Sequence, residues 1–487
     1  MKKKNEVQLS VIKGDKLFNE NTPFVINIFS PESKDLKKMC HADLLCVIDI
    51  SGSMAGSKIN LVKKSLNILI ELMDKNDRLG LVLFNQRGGK FFDFHYLNKE
   101  NKKKLTEKIN EIKAGGGTNI ISGLEIAIEI LKNDKDINKP NRSSSMLLLS
   151  DGCDNNFTDL EIVKKVKDLT RGQNLFFTLN TFGYGEDHDP FVMKKLANLR
   201  DGSFFYVKEY EKVAEYFGIV LGTCFSVISN QASLIIELLN KKCEIKKVFG
   251  EEYLYSHEMK PYYFNTTMLN FICGKEFTYV LEFEIKLNDV KIGEDLLSVD
   301  FLYPDEENNF CKESIIYKYC STDKNYAKAN EEYIRSQVYS IIDESLKLKE
   351  NSENNKAKDK LNEMKNWLKT YEETHKQKTN KIYLEDINQA LDYYNKESAS
   401  TIDTNIRANE NNENEIKINY ISDISNRVME NQTKKVCSER MTYINHNQDF
   451  YSSSSRERLN IPNKYNNESE VNNMIQKKYK KKNCLIF

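Results

Sequence analysis

The sequence predicts an α/β fold in which a doubly wound, mainly parallel sheet is inserted into a β-sandwich region and followed by an α-helical segment. Three patterns indicate this architecture. Short apolar runs alternate with segments of helical periodicity between residues 43 and 227, as in parallel sheets that helices cover on both faces. Segments with a period of two lie on both sides of that stretch, and helical periodicity returns after residue 322.

The α/β segment contains four candidates for buried strands, at residues 44–50, 79–84, 145–150 and 175–182. Helices are predicted at residues 59–73 and 120–131, where apolar residues recur on one face. Ligands bind such sheets at the carboxyl ends of the strands. The residues that follow each strand are therefore the candidates for a functional site.

The flanking segments divide the rest of the chain into further regions. Alternating patterns on both sides of the α/β segment predict that residues 1–42 and 228–321 together form one β-sandwich. Residues 322–397 carry apolar residues at 3-4-3 spacing, which predicts two or three amphipathic helices. Residues 398–476 are rich in Asn, Ser, Glu and Lys, which predicts a disordered linker before residues 477–487.

The composition argues against several classes of protein. The 487 residues include 72 Lys plus Arg and 72 Asp plus Glu, a balance that argues against a globally basic nucleic-acid-binding protein. The ten cysteines form no CxxC pair, which argues against a zinc ribbon, a RING finger or a thioredoxin-type site. Neither a signal peptide nor a run of 18 apolar residues is visible. We therefore expect a cytoplasmic protein with reduced thiols.

Hydroxyl and carboxylate side chains lie where the predicted strands end. The first strand ends in Asp-Ile-Ser-Gly-Ser, in which the glycine lets the backbone bend between alternating oxygen-bearing side chains. A threonine follows three glycines before the second helix, and an aspartate follows the third strand. Hard divalent cations prefer such oxygen ligands. The candidate metal ligands are Asp49, Ser51, Ser53, Thr118 and Asp151.

This order of strand, DxSxS, distant threonine, strand and aspartate resembles the von Willebrand factor type A domain with a complete metal-ion-dependent adhesion site. The resemblance covers residues 43–227. It implies that Ser51, Ser53 and Thr118 bind Mg²⁺, or Mn²⁺ or Ca²⁺ in its place, through their hydroxyls. It implies that Asp49 and Asp151 hold the cation directly or through water. The sixth position would take an Asp or Glu side chain of a protein partner.

The wider order of strands, α/β segment, β-region and helices resembles intracellular, RING-linked members of the same family. This chain lacks the RING cysteines. The resemblance therefore does not extend to ubiquitin-ligase activity.

Two other interpretations of the polar turns remain open. Ser and Asp are good helix caps, so the turns of a Rossmann-like sheet would contain them without any metal. A haloacid-dehalogenase-type phosphatase places Asp at the third position of its DxD motif as general acid, but Ser51 occupies that position here. His188 and Cys153 also lie near predicted strand ends and could face the binding site. A polar loop explains His188 at least as well as such a role does, and an incidental thiol explains Cys153 at least as well.

The carboxyl terminus predicts a lipid anchor. Cys484 is followed by Leu, Ile and Phe, a C-a-a-X signal in which Phe favours geranylgeranyl over farnesyl. One lipid chain gives weak binding, and nearby lysines supply a second, electrostatic attraction to an anionic membrane. The lysines of this terminus are Lys477, Lys478, Lys480, Lys481 and Lys482.

These patterns together predict a non-enzymatic adaptor on the cytosolic face of a membrane. It would bind an acidic residue of a protein partner through Mg²⁺ and would not bind nucleic acid. A regulatory subunit of a larger ubiquitin-ligase or trafficking complex is an alternative. A Mg²⁺-dependent hydrolase is a further one.

Overall fold

The computed structural model describes residues 6–400, except for residues 32–39, 138, 140–141, 153, 172–174, 186–187, 189, 209, 251–255, 286–289, 305–308, 351–352, 376–378 and 380. Residues 401–487 lie outside the described part of the chain. Most of the predicted linker, the five terminal lysines and Cys484 fall there.

The described residues include the predicted strands and helices in the predicted order, together with further elements that the sequence patterns did not predict. The strands are β1 (Gln8–Lys13), β2 (Thr22–Phe29), β3 (His41–Asp49), β4 (Arg78–Phe84), β5 (Gly88–Tyr96), β6 (Arg142–Ser150), β7 (Phe177–Tyr184), β8 (Phe204–Val207), β9 (Val227–Ser229), β10 (Ala232–Leu238), β11 (Cys243–Val248), β12 (Ser256–Lys260), β13 (Tyr263–Met268), β14 (Phe271–Ile272), β15 (Glu276–Ile285), β16 (Asp295–Pro304) and β17 (Phe310–Lys318). The helices are α1 (Ser57–Leu72), α2 (Lys99–Glu111), α3 (Ile120–Asn133), α4 (Asp159–Thr170), α5 (Pro190–Asn198), α6 (Tyr210–Phe225), α7 (Tyr326–Glu350), α8 (Asn354–His375) and α9 (Lys381–Ser400).

A six-stranded sheet forms the centre of the α/β segment, in the order β5-β4-β3-β6-β7-β8. All neighbouring strands are parallel except β5, which pairs antiparallel with β4. This confirms the predicted doubly wound, mainly parallel sheet. The strand order reverses between β3 and β6, and open α/β sheets bind ligands beyond the strand ends at such a reversal.

Helices cover both faces of this sheet because its central strand is apolar on both sides. Leu44, Cys46 and Ile48 of β3 join a core with buried residues of α1, α2 and α6. Leu45 and Val47 point the other way, into a core with α3, α4 and α5. Successive side chains of a strand face opposite sides, so one continuous apolar run holds both helical layers.

The β-sandwich combines strands from both sides of the α/β segment, as predicted. One sheet has the order β1-β2-β15-β11 and the other β12-β13-β10-β16-β17. β2 pairs antiparallel with β15, which lies about 250 residues further along the chain. Both sheets contribute to one apolar core, in which Phe24 of β2 stacks on Phe283 of β15 at 4.6 Å between ring centroids.

Helices α7, α8 and α9 pack on one another through a separate apolar core that includes Leu361, Leu368 and Ile387. α7 also packs on the sandwich, where Ala329 and Tyr333 contact apolar side chains of β1, β2 and β15. No helix in the described residues is both long and apolar enough to cross a bilayer.

Candidate functional site

The candidate site lies at the carboxyl edge of the six-stranded sheet, beside the reversal of strand order. β3 ends at Asp49 and β6 ends at Ser150, and the two strands are paired in parallel register through Ile48 and Leu149. The side chains that follow these strands therefore meet at one edge. Asp49 and Asp151 are almost fully buried there, with 0% and 1% of their surface exposed.

The Asp49 carboxylate is held by short hydrogen bonds. Ser51 donates its backbone N–H to Oδ1 at 2.8 Å, and the Ser150 hydroxyl donates to Oδ2 at 2.6 Å. Burial raises the pKa of Asp49 to about 6, although the hydrogen bonds from Ser150 and Ser51 oppose that shift, and the Asp151 charge adds to it. A cation beside the two carboxylates would relieve this cost.

The two serines lie on a tight turn between β3 and α1. Ser51 is buried and Ser53 is exposed, and a single 3-10 turn spans Gly52–Met54. The two hydroxyl oxygens are 3.0 Å apart. This turn places two neutral oxygens side by side above the end of β3.

Thr118 is held on a loop that is bonded to both neighbouring loops. Its backbone N–H donates to Asn155 Oδ1 at 2.6 Å, and its carbonyl accepts from the Asn155 N–H at 3.1 Å. The glycine triplet before it bonds to the serine turn, since Gly52 N–H donates to Gly116 O at 2.8 Å. Gly116 has φ +90°, a conformation that favours glycine. The loops that carry Asp49, Thr118 and Asp151 are thus interlocked by hydrogen bonds.

Asp151 forms an ion pair with Lys58, whose Nζ lies 3.1 Å from Asp151 Oδ2. Lys58 lies in the first turn of α1, and its side chain is 15% exposed. The sequence patterns did not single out Lys58, Ser150 or Asn155. A lysine in the first turn of a helix and polar residues beside strand ends have no spacing that distinguishes them from surface residues.

The donor set suits a hard cation. The described residues contain no group of three or more His, Cys, Asp or Glu side chains that could hold a metal ion, so a cation at this edge would depend on hydroxyl oxygens as well as carboxylates. Two carboxylates and three hydroxyls are oxygen ligands of the kind that Mg²⁺ and Ca²⁺ take. The residues that could hold it are Asp49, Ser51, Ser53, Thr118 and Asp151.

His188 packs in the interior instead of lining a binding surface. It is 2% exposed, its ring stacks on Tyr206 at 4.6 Å, and its Nδ1 lies 2.7 Å from the carbonyl oxygen of Gly185. His188 therefore adds no ligand to the site. Cys153 lies outside the described residues.

Residues 43–218 match the family model described as von Willebrand factor type A domain. An uncharacterized protein of Synechocystis sp. is 28% identical over 196 residues, which are 40% of this chain and 44% of that protein. Inter-alpha-trypsin inhibitor heavy chain H2 from Sus scrofa is 31% identical over 178 residues, which are 36% of this chain and 19% of the heavy chain. This chain therefore matches less than half the length of these relatives.

Among solved structures, a von Willebrand factor type A protein from Catenulispora acidiphila is similar in fold. It superposes with a TM-score of 0.57 at 14% identity, covering 79% of this chain and 89% of that protein. The likeness in fold thus extends beyond the α/β segment.

Proposed function

Because residues 43–218 form a von Willebrand factor type A domain, we propose that this protein is a non-enzymatic adaptor that binds an acidic side chain of a protein partner through a divalent cation. The pair of buried carboxylates at the reversal of strand order, Asp49 and Asp151, carries this proposal. Mg²⁺ is the preferred cation because hydroxyl and carboxylate oxygens surround the site. Mn²⁺ and Ca²⁺ are the alternatives.

Each residue of the site has a distinct part in this function. Asp49 and Asp151 supply the negative charge that attracts the cation, and Ser51, Ser53 and Thr118 supply neutral oxygens. When bound, the cation offers a positive centre to which a partner carboxylate can attach. The interlocking loops hold the five side chains in place before the partner arrives, which lowers the entropy lost on binding.

The residue at the third position of the strand-end motif supports a binding role over catalysis. Ser51 is buried and has no acidic proton to donate at neutral pH. The phosphatase mechanism that uses this part of a similar sheet requires a carboxylic acid there. A hydrolase is therefore the less favoured function.

Titration of the purified protein with Mg²⁺ by calorimetry tests the cation site. We expect binding by the wild type and a loss of at least about tenfold in affinity for Asp49→Asn and for Asp151→Asn, since each removes a negatively charged ligand. Asp93→Asn is the matched control, because Asp93 is an exposed carboxylate on the edge strand β5. Equal Mg²⁺ affinity in all four proteins would contradict the site.

Capture of partners tests the adaptor function. Proteins retained by the wild type in Mg²⁺ should be released by EDTA and should be absent with Asp49→Asn. Partners that stay bound in EDTA would count against a cation-mediated contact. The native mass of the captured assembly distinguishes a lone adaptor from a regulatory subunit of a larger complex.

We also propose that the protein is prenylated at Cys484 and held at the cytosolic face of a membrane, on the support of the C-a-a-X signal and the five lysines before it. Fractionation of cells tests this. Cys484→Ser should move the protein from the membrane to the soluble fraction, whereas Cys437→Ser, a control cysteine elsewhere in the same tail, should not. Membrane retention of Cys484→Ser would refute the anchor.

A further inference from the structure

Lys58 places a positive charge inside the candidate site. Its ammonium lies 3.1 Å from Asp151 Oδ2, and the two side chains are 15% and 1% exposed. Lys58 and the two serines of the site lie on one eight-residue segment, from Ser51 to Lys58. The buried Ile59 and Val62 anchor the first turn of α1 against the sheet. The lysine is therefore held at the site on the same short segment that carries two proposed ligands.

Helix stability does not explain a lysine at this position. The amino end of a helix carries a partial positive charge, so a lysine in the first turn is unfavourable there. The first turn of α1 contains no acidic residue that would offset it. A mostly buried ammonium also loses hydration. The ion pair with Asp151 compensates for these costs. The position of the lysine is therefore explained by the site and not by the stability of the helix.

A count of charges shows what Lys58 changes. Asp49 and Asp151 together carry two negative charges, and Lys58 reduces the sum to one. A divalent cation would then leave the site with one positive charge in excess. With a neutral residue at position 58, the same cation would leave the site neutral. One partner carboxylate would bring the net charge of the loaded site to zero when Lys58 is present. With a neutral residue at position 58, the same carboxylate would bring it to minus one.

We propose that Lys58 sets the affinity of this site for its two ligands. It weakens the binding of the cation, and it leaves the loaded site with a positive charge that a partner carboxylate neutralises. This inference rests on the proposed cation site. It predicts opposite effects on the two ligands, because the ammonium repels the cation and attracts the carboxylate. A residue that only supports the fold would shift both affinities in the same direction.

The test uses Mn²⁺ alone as the metal probe and acetate as the carboxylate probe. Mn²⁺ affinity is measured by calorimetry on the full chain, and acetate binding to the loaded protein by broadening of its methyl proton signal. For Lys58→Met we expect Mn²⁺ affinity to rise about tenfold or more and acetate affinity to fall about fivefold or more. Lys58→Arg keeps the charge and should stay close to wild type in both measurements.

Each other outcome overturns a defined part of the proposal. Weaker Mn²⁺ binding by Lys58→Met would show that Lys58 only positions Asp151, and unchanged affinities would show that its charge is irrelevant. Lys58→Gln gives a second neutral variant should Lys58→Met fail to fold, as judged by circular dichroism. A wild-type protein that binds no Mn²⁺ would overturn the cation site itself, whereas a wild type that binds Mn²⁺ beside an unaffected Lys58→Met overturns the role of Lys58 alone.

Discussion

The two ends of β3 carry aspartates that are equally buried but whose negative charges are stabilised by different groups. Asp43 at the start and Asp49 at the end are both 0% exposed. Arg78 donates to both oxygens of Asp43, at 2.9 and 2.7 Å, and the Arg142 Nε donates to Oδ1 at 2.8 Å. Among the described residues, the donors that reach Asp49 are the hydroxyl of Ser150 and groups of Ser51.

This difference separates a structural end of the sheet from the end at which we propose binding. At the amino end, burial opposes the charge of Arg78, but the hydrogen bonds that Arg78 donates to the carboxylates of Asp43 and Asp134 hold its pKa above the usual value. Carboxylates and guanidinium groups there neutralise one another. At the carboxyl end, Lys58 pairs with Asp151, and the groups that donate to Asp49 are neutral. A charge left uncompensated in a buried place is a mark of a functional site.

The largest expected effect is at the structural end. Asp43→Asn leaves Arg78 and Arg142 buried without their shared carboxylate, so we expect the free energy of unfolding to fall by about 3–5 kcal/mol. Chemical denaturation measures it. The exposed control Asp93→Asn should change stability by less than about 0.5 kcal/mol. Equal free energies of unfolding for Asp43→Asn and Asp93→Asn would show that the cluster of Asp43, Arg78 and Arg142 does not stabilise the sheet.

Asp49→Asn is expected to leave the fold intact. It removes a buried charge whose hydrogen-bond donors are neutral, so stability in EDTA should stay within about 1 kcal/mol of wild type. The stabilisation that Mg²⁺ gives the wild type should disappear, because ligands stabilise only the state that binds them. Thermal unfolding in Mg²⁺ and in EDTA measures both quantities. A large loss of stability in EDTA would mean that this end of β3 is structural too.

A smaller effect is expected at the loop that carries Thr118. Gly116 has φ +90°, and a Cβ there would lie 3.1 Å from Asn85 Nδ2. Gly116→Ala should therefore lower stability by about 1–2 kcal/mol and weaken Mg²⁺ binding severalfold. Gly115→Ala is the matched control, since a Cβ at that residue meets nothing within 4 Å. Equal Mg²⁺ affinity for the two variants would show that the loop tolerates strain without moving Thr118.

The sequence predicted the α/β sheet because its central strands are continuous apolar runs, a pattern that is typical of strands buried on both faces. The edge strand β5 was not predicted, since most of its residues are at least partly exposed and its alternation is irregular. The four-residue strand β8 is too short to show a period. Both depend on pairing with a neighbour that is already in place, and a local pattern does not show such pairing.

The candidate site was predicted in part for a similar reason. Asp49, Ser51, Ser53 and Asp151 lie at or just after strand ends, which parallel strands bring together, whereas Thr118 lies on the loop between α2 and α3. The contacts that hold and charge the site join distant residues, such as Lys58 with Asp151 and Thr118 with Asn155. The same is true of Arg142 with Asp43, 99 residues apart. Contacts between residues so far apart in the sequence depend on the folded topology, so no spacing in the sequence indicated them.

The insertion of the type A domain into the sandwich has a consequence for the order of folding. β2 and β15 are separated by about 250 residues, and closing a loop of that length in an unfolded chain is entropically costly. The ends of the inserted domain lie together, since the Cys40 thiol donates to the carbonyl of Val227 at 3.3 Å. Once the domain has folded, the remaining loop is about 60 residues, from Phe29 to Cys40 and from Val227 to Glu276. This is about two halvings of the original length, which together save about 1 kcal/mol. The inserted domain would thus act as the folded bridge on which the sandwich assembles.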